Sequence, residues 1–74
     1  MSNPVLINFA GKERDFSNAF SCRIEPHKEG AIIEWCFFNG NHQSYAKEEF
    51  ANTALCHERR QEINKIILEA KQNG

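Results

Sequence analysis

The chain has 74 residues, nine Lys or Arg against ten Asp or Glu, a net charge of −1 and 41% hydrophobic residues. A chain this short is one domain, here residues 1–74, and it buries only about 60% of the surface its unfolded form exposes, so its core is thin. Near-neutral charge argues against partners that require a strong field, such as duplex nucleic acid or an anionic membrane surface.

Pro4-Val5-Leu6-Ile7-Asn8-Phe9-Ala10 predicts a first strand over residues 4–10, with Val5, Ile7 and Phe9 on one face and Gly11 closing it. Residues 12–18 are polar apart from Phe16. Phe16 shares parity with Phe20, Cys22 and Ile24, which leaves a short hairpin loop around Gly11 to Asp15 before the next strand. That second strand, over residues 19–26, alternates cleanly, with Phe20, Cys22 and Ile24 on one face and Ser21, Arg23 and Glu25 on the other. Pro26 is expected to stop it, and Gly30 to supply the positive φ of a tight reversal. The third strand, over residues 31–38, is rich in β-branched and aromatic side chains and apolar on both faces, as a central strand is. Asn39-Gly40 then marks a hairpin turn, followed by either a fourth strand over residues 41–45 or a loop in which Ser44 caps a helix.

Residues 45–72 contain no Pro or Gly and are dominated by strong helix formers. Their apolar positions fall into two phases. Ala46, Phe50 and Ala54 share one face at about 100° per residue, whereas Cys56, Ile63, Ile66, Ile67 and Ala70 share another. A break near residues 52–53 resolves the conflict, leaving a short helix from Tyr45 to Ala51 and a long one from about Thr53. The expected fold is therefore α+β: a three- or four-stranded antiparallel β-meander with a long C-terminal helix packed on one face, preceded by a short helix.

Little in the chain points to catalysis or cofactors. Cys22, Cys36 and Cys56 are an odd count, and Met1-Ser2-Asn3-Pro4 lacks the basic start and apolar core of an export signal, so reduced thiols and a cytoplasmic location are expected. No apolar run approaches the ~20 residues that cross a bilayer. Cys22, His27, Cys36, His42, Cys56 and His57 lack the paired spacing of zinc knuckles, so no metal or other cofactor is expected. Cys56-His57-Glu58 are contiguous rather than assembled from distant segments, and Glu48 and Glu49 diverge on a helix, so no catalytic residues are assigned and the chain is not expected to be an enzyme.

Protein binding has more support. One helix covers one face of a sheet, yet the third strand carries Ile32, Cys36 and Phe38 on its second face. Either Tyr45 and Phe50 of the short helix cover it, or Ile32, Phe38, Tyr45 and Phe50 form a surface for another protein or a second copy of the chain. The expected function is thus a non-catalytic interaction module or small regulator. The alternative is a nucleic-acid-binding domain using Arg59, Arg60 and Lys65, a basic series diluted by Glu58, Glu62 and Glu69.

Overall fold

The computed structural model describes residues 4–73. Its elements are strand β1 (Leu6–Phe9), strand β2 (Lys12–Asp15), a 3-10 turn (Phe16–Asn18), strands β3 (Ala19–His27), β4 (Gly30–Asn39) and β5 (His42–Phe50), and helix α1 (Thr53–Asn73). The class is α+β with antiparallel sheets and a C-terminal helix, but the strands divide into two sheets rather than one: β1 with β2, and β3-β4-β5.

The first difference from expectation lies at residues 12–15. Instead of looping toward the next strand, Lys12-Glu13-Arg14-Asp15 folds back on β1, with Phe9 opposite Lys12 and Leu6 opposite Asp15. Ala10 and Gly11 make the turn with φ of 56° and 77°, the two left-handed residues of a type I′ reversal. Four charged residues carry no apolar alternation, so nothing in their side chains announces a strand; turn geometry and backbone pairing make it.

The second difference is at Tyr45 to Ala51, where the expected short helix is the end of β5. Ala46 and Phe50 are four residues apart, a spacing that shares a face in a helix and in a strand alike. In the strand Ala46 lies opposite Trp35 and Phe50 opposite Ala31, so both reach the core. The two-residue turn at Gly40 and Asn41 commits the chain to pairing with β4, and tertiary context overrides the helical preference of Ala-Lys-Glu-Glu. Helix α1 does begin at Thr53, where the Asn52 side chain accepts a hydrogen bond from the Leu55 amide at 2.9 Å. Cys56 and Ile63 are buried and Ile67 and Ala70 pack against the core, whereas Ile66, expected to join them, is exposed.

Two details of the β3–β4 hairpin also depart from expectation. β3 runs through Pro26 to His27; it is an edge strand, where a residue without an N–H is tolerated. The positive φ belongs to Lys28, at 55°, not to Gly30. Gly30 is needed for a different reason: a Cβ there would stand 2.2 Å from the Phe50 carbonyl oxygen.

The inner face of the three-stranded sheet carries Cys22, Ile24, Ala31, Ile33, Trp35, Phe37 and Ala46, and α1 and the β1–β2 hairpin both cover it. Phe16 joins these layers. It is 1% exposed, with its ring edge-on to Phe9 at 5.8 Å, Trp35 at 5.4 Å and Phe37 at 4.9 Å between centroids. Its amide donates to the Val5 carbonyl at 2.7 Å. Asp15 fixes the turn that aims this ring, accepting hydrogen bonds on one carboxylate oxygen from the Ser17 amide at 3.0 Å and the Val5 amide at 2.9 Å. Foremost through the Ser17 bond, the carboxyl is held below its ordinary value of 3.8.

Truncating this contact has a large expected cost. Phe16→Ala should lose about 3–5 kcal/mol, much of the total stability of a small domain, read from guanidinium unfolding. Asp15→Ala should lose about 1 kcal/mol. Because the folded carboxyl binds its proton more weakly than the unfolded one, that difference is complete above about pH 4 and shrinks as pH falls through the lowered folded value. Urea unfolding of both proteins between pH 7 and pH 2 measures it.

Candidate functional site

With the hairpin and the helix both on the inner face, the outer face of β3-β4-β5 is uncovered. Alternation along β4 places Ile32, Glu34, Cys36 and Phe38 there. The register sets Ser21, Arg23 and Glu25 of β3 beside them on one flank and Gln43, Tyr45, Lys47 and Glu49 of β5 on the other. β3 gains one further outward residue. Pairing slips between Ala19 and Ser21, and this bulge turns Phe20 away from Cys22 and Ile24. Its ring meets that of Phe38 edge-on at 5.9 Å.

The result is a face with an aromatic corner and a charged centre. Phe20 is 54% exposed, Phe38 48% and Tyr45 56%, around the buried thiol of Cys36. Beside them lies a shallow depression lined by Phe20, Arg23, Glu34, Cys36, Gln43 and Tyr45. The negative charge that Cys36, opposite Tyr45, carries once ionised is the main cause that raises the phenol above its ordinary value, and the phenol donates to Gln43 Oε1 at 3.1 Å. In the centre, Glu34 lies between Arg23 at 3.4 Å and Lys47 at 3.5 Å, and Arg23 also reaches Glu25 at 3.3 Å. At the far end His27 approaches Glu49 at 3.2 Å.

Of the four residues expected to form a binding surface, the structure brings Ile32, Phe38 and Tyr45 to this face and separates Phe50 from them. Phe50 belongs to the inward parity of β5 and packs against the core under Gly30. Phe20 and Cys36 are the members that the site residues inferred from sequence lack. Cys36 is signalled by its parity with Ile32 and Phe38, while Phe20 is concealed because a bulge reverses its side without changing a residue.

The basic series on α1 is also dispersed. Arg59 turns inward: its guanidinium donates to the Asn8 carbonyl and to Glu62, lies 3.5 Å from Glu48 and covers the Phe9 ring at 5.7 Å. The other oxygen of Glu48 accepts the amide of Ala10, the left-handed turn residue, at 2.9 Å. Arg59 thereby ties helix, hairpin and β5 together. Arg60 is half-buried and lies close enough to Cys22 to influence its ionisation. Lys65 is exposed, about 120° around the helix from Arg59 and about 140° from Arg60 at 100° per residue.

Thiols and histidines do not assemble into a reactive group. Cys22, Cys36 and Cys56 are all free, with Cys22 on the inner face and Cys36 on the outer. Burial pushes the Cys22 thiol up to about 11 and raises Cys56 as well, the direction of inert, protonated sulfur. Among the described residues no three His, Cys, Asp or Glu side chains converge as metal ligands, and no helix is long and apolar enough to cross a membrane. A second cleft, beneath β2, is lined by Lys12, Glu13, Arg14 and Asp15 with Asn39 and Ser44; its two positive and two negative charges cancel.

No protein-family model matches this chain, and no curated protein or solved structure is significantly similar to it. Arg59→Ala should leave Glu48 without its cationic partner and unseat the hairpin, costing about 1–2 kcal/mol in urea unfolding. Arg59→Lys should recover only part of this, since an ammonium cannot reach the carbonyl and both carboxylates with a planar fork.

Proposed function

We propose that this chain is a non-catalytic protein-interaction module, an adaptor or small inhibitor, that docks through the outer face of its three-stranded sheet. The observation supporting this is the joint exposure of Phe20, Phe38 and Tyr45 on a face that neither the helix nor the hairpin covers. Large aromatic side chains are enriched at the centres of protein interfaces, because each buries a wide rigid area at small entropic cost. Charges beside the corner are already paired with one another, so a partner meets balanced ion pairs rather than bare ions. Such a balance suits a protein surface better than a polyanion, and the inward turn of Arg59 leaves the helix with less free positive charge for nucleic acid.

Phe38→Ser tests the reading, because the ring is half in solvent and its loss, with that of its edge-on contact to Phe20, should cost about 1 kcal/mol and leave the chain folded. Immobilised wild type should retain a protein from extracts of the producing cell that the variant does not, and the purified protein should rebind with the same preference. Equal recovery on both chains would remove the outer face as the docking surface.

A further inference from the structure

The charges of the outer face form a pattern that fits itself. At Glu34 the row across the sheet reads Arg23, Glu34, Lys47, with basic flanks on both edge strands. One row along, at Ile32, it reads Glu25, Ile32, Glu49, with acidic flanks on the same two strands. Rows on one face are about 6.8 Å apart along the strands. Resting on the reading of this face as a docking surface, we propose that its occupant is a second copy of the chain, packed face to face about a two-fold axis that crosses the strands between these rows.

That axis lays each strand over its own counterpart in the opposite direction. Arg23 then stands over Glu25 of the second copy and Lys47 over its Glu49, and symmetry makes each contact twice. Glu34, already flanked by two cations, meets the aliphatic Ile32. The alternative axis, along β4, stacks Arg23 on Lys47 and Glu34 on itself, and like charges oppose it. The tilt of about 30° between aligned sheets displaces the flanking strands by only about 2–3 Å, less than the row spacing, so the pairing survives sheet twist. Each Phe20–Phe38 corner covers the β3–β4 turn end of the other copy.

Size is consistent with a reversible dimer. Strands of nine, ten and nine residues make a face of about 30 by 14 Å, and stacking two of them removes on the order of 1,000 Å² of accessible surface, where specific association begins. Charge-matched contacts of this kind weaken as salt is added.

Sedimentation equilibrium of the full chain from micromolar to millimolar concentration reads the result. Wild type should dimerise, more weakly at high salt. Lys47→Glu should raise the dissociation constant by on the order of tenfold or more, by setting a carboxylate against Glu49 of the second copy. The double variant Lys47→Glu/Glu49→Lys should restore association. Within one chain the swap still leaves a carboxylate at position 47 beside Glu34, so its rescue arises only between copies. Monomeric wild type, a dimer indifferent to Lys47→Glu, or a double variant as weak as the single one each overturns the proposal. Monomeric wild type whose captured protein is still lost with Phe38→Ser would remove the second copy alone; failure of both would remove the docking surface as well.

Discussion

The ring of Phe16 is the contact through which the two sheets become one structure. A two-stranded hairpin is not independently stable in water, and β1 and β2 bury little between themselves. Phe16 follows β2 directly, and its edge-on contacts with Phe9 on one side and Trp35 and Phe37 on the other turn a loose ribbon into a lid over the meander. Asp15 and Val5 hold the turn at the angle that makes this possible. Arg59 acts at the opposite end of the hairpin, so the lid is pinned by packing at one end and by charge-assisted hydrogen bonds at the other.

This arrangement accounts for the bare outer face. The inner face is wide enough to receive both a helix of 21 residues and a hairpin, so both covering elements among the described residues are used on one side. The described residues span only 19 Å in their shortest dimension, the depth of one sheet and one covering layer. What remains outside is divided by chemistry: an aromatic corner formed by Phe20, Phe38 and Tyr45, and a lattice of mutually neutralised charges around Glu34. Trp35 shows the pressure on so thin a core, since its indole N–H is buried without a hydrogen-bond partner.

Strands with alternating or continuous apolar character, β1, β3 and β4, are legible in the sequence, as is the start of α1 at Asn52-Thr53. Three features are not, each for a physical reason. Lys12 to Asp15 has no apolar side chain to reveal its pairing. Ala46 and Phe50 fit the periods of helix and strand equally, and the composition around them favours the wrong one. Phe20 depends on a backbone slip that no side-chain pattern encodes. The outer face can be read in part, through the parity of Ile32, Cys36 and Phe38 on β4, but its membership requires the register on both flanks. Phe50 joins it in sequence reasoning only because composition favours a helix where β5 runs.

The two tight turns within the meander bear on how the chain finds this structure. β3, β4 and β5 are joined through two residues each, so every pairing in that sheet extends from a reversal already made, and no crossover has to be threaded. Loop-closure entropy, which slows most sheet proteins, is paid here in its smallest increments. Only the docking of the hairpin and the helix spans longer stretches, and both pack on the same side of the sheet. Strand order is thus set by local reversals, and the apolar inner residues Ile33 and Trp35 are the part of the sheet that the helix and the hairpin must reach.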